Sequence, residues 1–193
     1  LRDELRGQPP EELAARAGVQ WNGDSFDILL LGKPYRITYP DFVVRFTPSD
    51  EPCPEELQAM LLDYLKLADG TQPAGRWVSY RELPHGQFYY HAFQGYAERP
   101  LVQEVGNDVE RLAQAARSAG GREIDYGDCG YAFDVLPQVK VALVYWKGDE
   151  EFPPTASVLF DASAERYLPV DGLAQLGRMV SSRVAKEYRS LGG

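Results

Sequence analysis

Both histidines of the chain, His85 and His91, lie in one aromatic segment, YRELPHGQFYYHAFQGY (residues 80–96), among four tyrosines and two phenylalanines. Imidazoles so placed could ligate a metal together, serve singly as an axial ligand to a haem or corrinoid, or act as a general acid. A shared ion needs both nitrogens ~2.0–2.1 Å away. Six residues of helix leave the two side chains ~120° apart with a rise of ~9 Å. Six residues of strand put them on one face but ~20 Å apart. Regular backbone therefore keeps them from gripping one ion. Only a bend at Gly86 would permit it, and HExxH spacing is absent. The expectation is two partly buried, hydrogen-bonded histidines among packed aromatics, and no metal site.

The remaining reactive residues are few. Cys53 stands just before a helix, where the N-terminus favours thiolate, but Glu51, Glu55 and Glu56 oppose that effect. Cys129, in YGDCGYAF, lies at a Gly-flanked turn. The two lack CxxC spacing and read as free thiols. Asp149, Glu150 and Glu151, in KGDEEFPP, could bind a cation or work as acid and base. Pro153-Pro154 favours a solvated turn there, and calcium-loop spacing is absent. Asp161, in LFDASAERYLP, ends a strand and is placed to cap a helical turn. Phosphate-loop, dinucleotide-binding and nucleophile-elbow motifs are all missing, which weighs against the commonest nucleotide and acyl-transfer enzymes.

These residues must be carried by a framework that the patterning makes legible. The chain has 193 residues, 44% hydrophobic and 25% charged, which is globular and predicts one domain over 1–193. A formal net charge of −9 with scattered basic residues argues against nucleic acid. No apolar run approaches the ~20 residues of a membrane span. The start, LRDELRGQPPEEL, has no signal-peptide core, so the expected compartment is the cytoplasm.

PPEELAARA (residues 9–17) predicts a short helix at the periphery, opened by proline. In residues 24–46, Tyr35, Ile37 and Tyr39, then Phe42, Val44 and Phe46, alternate with other residues as half-buried strands do. Gly32-Lys33 reads as their hairpin turn and Pro40 as an interruption. Residues 53–70 change period: Leu57, Met60, Leu61, Tyr64, Leu65 and Ala68 share one helical face. A strand follows over 75–83, then an aromatic helical stretch over 87–106. A clearer helix begins near 107, with Asn107 and Glu110 at capping-box spacing. Strands return in REIDYG, YAFDVLP, VKVALVYWKGD and ASVLFDA. The third is apolar on both faces, as a central strand is. A last helix over 170–189 aligns Leu173, Leu176, Val180, Val184 and Tyr188. The order lacks the alternation of a doubly wound fold and predicts α+β, a mostly antiparallel sheet packed with helices in a single domain.

Four strings taken together carry a resemblance: LLGKPYRITYP, LADGTQPAGRWVSYRELP, GND at 106–108, and VKVALVYWKGDEEFPPTASVLFDASAERYLPVDGLAQLG at 139–177. They resemble an uncharacterised domain family of mostly anaerobic bacteria and archaea, over about residues 11–184. Some members are joined to a four-cysteine iron–sulfur domain similar to that of corrinoid iron–sulfur proteins. The resemblance implies a setting in anaerobic redox or one-carbon metabolism and transfers no activity. With two cysteines, this chain cannot itself hold a four-cysteine cluster. The family pattern does not require histidine at 85 or 91. Attention moves to the chemistry-bearing residues inside the matching strings or beside them: Arg81, Glu82, Tyr89, Tyr90, Asp149, Glu150, Glu151 and Asp161.

Three function classes stand open on these grounds. The first is an accessory or binding domain for a small ligand, cofactor or redox partner such as an iron–sulfur or corrinoid protein. Its site is expected where the Arg81–Tyr90 segment meets the turn at 149–151, with aromatics as a stacking wall and Arg81 and the acids orienting the ligand. The second is an enzyme using a carboxylate general base near Tyr89 or Tyr90. Its mark is a pocket holding a carboxylate of raised pKa. The third is a protein–protein interaction module, marked by an exposed apolar patch.

Overall fold

The structure, a computed structural model, describes residues 1–192. The alternating N-terminal runs build one antiparallel sheet. Its strands β1 (Gln20–Trp21), β2 (Ser25–Leu30), β3 (Lys33–Thr38), β4 (Val44–Phe46) and β5 (Glu51–Pro52) lie side by side in chain order. Phe26, Ile28, Tyr35, Ile37 and Val44 point inward, as the period of two requires. The β2–β3 turn places Leu31 at φ +48° and Gly32 at φ +72°, the positive pair that a tight hairpin demands. Gly32 adopts it freely. Leu31 does so against its preference, and the rest of the molecule holds it there: its amide donates to the Val135 carbonyl at 2.8 Å and its carbonyl accepts from Arg183.

Two helices precede this sheet, α1 (Arg2–Arg6) and α2 (Pro10–Ala17). The sequence places residues 9–17 at the periphery; in the structure Leu13 and Ala17 have no exposed surface. The Ala17 carbonyl accepts from the buried Tyr64 hydroxyl at 2.6 Å. Tyr64 belongs to α3 (Glu55–Leu67), whose buried side is wider than the predicted stripe because Leu62 joins it.

The second half forms a separate antiparallel sheet in the order β6-β10-β9-β8-β7. Its members are β6 (Trp77–Ser79), β7 (Arg122–Glu123), β8 (Cys129–Leu136), β9 (Val139–Trp146) and β10 (Thr155–Asp161). The doubly apolar strand β9 is central, as its composition predicts. Val141, Leu143 and Tyr145 face the main core, while Ala142 and Val144 join Leu159 in a smaller cluster flanked by Trp77, Ile124 and Trp146. The single expected sheet is thus two, and one continuous core containing Phe26, Ile37, Val135 and Leu143 joins them.

Between β6 and β7 the aromatic stretch is helical but broken. A 3-10 turn at Tyr80–Glu82 leads to α4 (Gly86–Phe93), a π turn at Gln94–Glu98, and α5 (Arg99–Val105). Pro100 has no amide to donate, so the ladder widens just before it. Helix α6 (Val109–Ser118) starts one residue later than the capping-box reading implies. Its N-cap is Asp108, whose Oδ1 accepts from the Arg111 amide at 3.1 Å. Asn107 instead grips Gly148 in the β9–β10 turn, accepting from its amide at 2.7 Å and donating to its carbonyl at 3.2 Å. The last helix, α7 (Val170–Ser190), buries the five predicted residues and packs along the second sheet. Among the described residues, no helix is long and apolar enough to cross a membrane.

Candidate functional site

Several residues that the sequence singles out are occupied in holding the fold. Glu82 accepts from the Ser79 amide at 2.8 Å and hydroxyl at 2.7 Å, which keeps its carboxyl below the usual range and closes the 3-10 turn. Asp149 closes its own turn by accepting from the amides of Glu151 and Phe152, both at 2.8 Å. Those bonds hold its pKa down. Glu150 and Glu151 are exposed on that turn.

Asp161, only 1% exposed, clamps a distant loop. It accepts from the Ala74 amide at 2.8 Å, the Gly75 amide at 2.7 Å, and the amide and hydroxyl of Ser163 at 2.9 and 2.7 Å. Burial by itself would raise its pKa; the four hydrogen bonds outweigh burial and lower it. Gly148, just before the turn at 149–151, is tied to Asn107, and Arg81 lies over the Tyr90 ring at 5.7 Å. Among the described residues, no hydrogen bond or ion pair joins those two segments.

The histidines are not packed filler. His85 holds φ +65° at the N-cap of α4, His91 sits on the helix, and both are exposed. The physical reason is that α4 buries Gly86 and Phe93 and turns its other side to solvent. Among the described residues no group of three or more histidine, cysteine or acidic side chains is arranged to hold a metal. Both cysteines are free and buried. Burial raises Cys53, and pushes Cys129 up to about 11, so neither is poised as a thiolate.

Tyr89 does reach a cleft. A groove of about 890 Å³ runs between α3, α4 and the first turns of α7. Each wall follows from helical spacing: Glu56 and Asp63 on α3, Asp171, Gln175 and Arg178 on α7, Tyr89 on α4 with Tyr96 from the π turn beyond it. Tyr80 forms the floor. Its ring lies flat on Phe93, with centroids 4.2 Å apart and planes 11° from parallel, and tilts against Phe160. Tyr80 is only 2% exposed as a residue and lines the groove; its hydroxyl makes no hydrogen bond to protein among the described residues and is not one of the fully buried unpartnered atoms, so it opens on the groove. Burial, then Tyr96, Asp171 and Tyr89, push it up to about 12, so it is a neutral phenol at pH 7. Asp63 is raised by burial first and by Asp171 second. Sequence reasoning passed over Tyr80, Tyr96, Asp63, Asp171 and Arg178. One signal was available: Asp63 interrupts the apolar run AMLLDYLKL.

A second cleft, of about 640 Å³, lies beside the β2–β3 hairpin. There Asp27 Oδ2 accepts from Asn22 at 2.7 Å, while Asp27 Oδ1 faces Arg36 Nε at 3.6 Å and neither of those two atoms has a hydrogen-bond partner among the described residues.

Two five-stranded antiparallel sheets, one shared core and a helix-walled groove define the class: an α+β domain with an open polar–aromatic cleft. The chain belongs to the family described as Domain of unknown function (DUF3786), whose model matches residues 9–183. No curated protein matches it, and no solved structure does.

Proposed function

We propose that the chain is a binding domain whose groove between α3, α4 and α7 receives a small ligand or cofactor. The observation that carries this reading is the Tyr80 hydroxyl. The hydroxyl makes no hydrogen bond to protein among the described residues and lines the groove, so a polar group of a ligand seated there can bond it directly. Phe93 and Phe160 hold the Tyr80 ring in place. Tyr89 and Tyr96 stand as flanking rings. The family resemblance adds a setting in anaerobic redox or one-carbon metabolism, beside an iron–sulfur or corrinoid protein; the charge, hydropathy and N-terminal pattern of the sequence add a cytoplasmic accessory domain without contact to nucleic acid or membrane.

Absorbance and native mass analysis of protein purified without oxygen tests this, together with titration of corrinoid, haem and flavin. The expected result is a co-purifying or titrated ligand that Tyr80→Phe weakens while thermal stability holds. Absence of any bound species in either experiment would sink the reading.

One observation favours catalysis as a second reading. Asp63 lies in the same groove with its pKa raised, as a carboxylate general base would be. A ligand recovered chemically altered after incubation supports that class, and one recovered intact supports binding alone.

A further inference from the structure

We propose that the groove is selective for positive charge: it takes a protonated amine or cationic heterocycle on a planar or apolar framework, countered by Asp63 and Asp171 and walled by Tyr89 and Tyr96. This deepens the binding reading and rests on it. Three carboxylates line the groove, Glu56, Asp63 and Asp171, against the single guanidinium of Arg178, a formal charge of −2. The start of α7 has no side-chain cap and adds positive character there. A helix N-terminus is worth about +0.5 charge, too little to reverse the sign.

Asp63 forms no ion pair among the described residues: Lys66, one turn along α3, and the N-terminal ammonium act on it only through space, and Lys66 is held by Glu4 at 2.8 Å. Burial first, and Asp171 second, resist ionisation of Asp63 more than Lys66 and the N-terminus favour it, and the charge of a positive ligand works against that resistance. The rings of Tyr89 (59% exposed) and Tyr96 (41% exposed) leave faces open, and a cation is drawn to a tyrosine face by the ring quadrupole. An acidic lining alone would be an ordinary solvated surface. Here it surrounds Tyr80, a side chain only 2% exposed that lines the groove without a hydrogen bond to protein among the described residues, and whose oxygen can accept from an ammonium N–H. The net charge of −9 on the whole chain steers cations toward it.

Three probes of one shape separate charge from shape: benzylammonium, benzyl alcohol and benzoate, titrated at neutral pH and followed by the amide NMR signals of Ala59, Ala92 and Gly172. Benzylammonium is expected to bind at least about tenfold tighter than benzyl alcohol, and benzoate more weakly than both. Asp63→Asn should weaken benzylammonium about tenfold, and Arg178→Gln should tighten it several-fold, an order that a merely apolar groove would not produce. Equal or tighter binding of the alcohol or benzoate, or a loss of affinity in Arg178→Gln, overturns the charge assignment and leaves the groove as a ligand site. No shift at these amides with any of the three probes overturns both.

Discussion

Asp161 and Glu98 are two buried carboxyls that the fold treats in opposite ways. Asp161 receives four hydrogen bonds and its pKa falls. Glu98 is buried in the π turn, accepts from the Val158 amide at 3.0 Å, and is raised by burial, which that bond only partly opposes. The pH consequences therefore have opposite signs. A depressed carboxyl contributes stability above its unfolded pKa of about 3.9, and that contribution is lost as pH falls through the folded value. Asp161→Ala should cost about 2–4 kcal/mol near pH 7, since it strands the amides of Ala74, Gly75 and Ser163. Urea unfolding should show the gap to wild type closing below about pH 4. A raised carboxyl contributes while protonated and loses that contribution as pH climbs from about 4.3 through the folded value. Glu98→Gln keeps an acceptor for Val158 and removes the titration. Its stability relative to wild type should rise as pH climbs above about 4.3, again read by urea midpoints. Asp161 was visible in the sequence as a strand-end acid. Its loop partners were not, because they stand 86 and 87 positions earlier in the chain.

Among the elements, α4 depends on a close approach that only glycine permits. A Cβ at Gly86 would sit 1.9 Å from the Tyr80 carbonyl oxygen. Gly86→Ala should destabilise by about 3 kcal/mol or more and move the Tyr80 ring, so ligand affinity falls along with the melting temperature. On α7, a Cβ at Gly177 would come within 2.8 Å of Phe93, the ring beneath Tyr80. At the start of α6, Asp108→Ala should cost about 1 kcal/mol by thermal or urea unfolding, and Glu110→Ala much less, because Asp108 is the cap. Helix and strand identity follows from periods of 3.6 and 2, which a sequence displays directly. The Asn107–Gly148 pairing and the π turn depend on tertiary contacts and on the position of Pro100, which periodicity does not encode.

At the scale of the molecule, α+β character was legible because strands and helices cluster along the chain. The division into two sheets was not. Alternation says which residues share a face and nothing about which strands pair. The sheets are nevertheless joined by one core and by the Leu31 amide bonded to Val135. They should unfold together. Trp21 reports on the first sheet, and Trp77 and Trp146 on the second. Variants keeping only one of these fluorophores should share a single urea midpoint, and separated midpoints would show two independent units. The groove stands on that joint framework, since α3 follows the first sheet while α4 and α7 pack around the second. A crystal structure of the protein with its tightest-binding probe tests the groove most directly. The account predicts the probe between α3, α4 and α7, with a polar atom within hydrogen-bond distance of the Tyr80 hydroxyl. A probe seated elsewhere, with no contact to the Tyr80 oxygen, would contradict it.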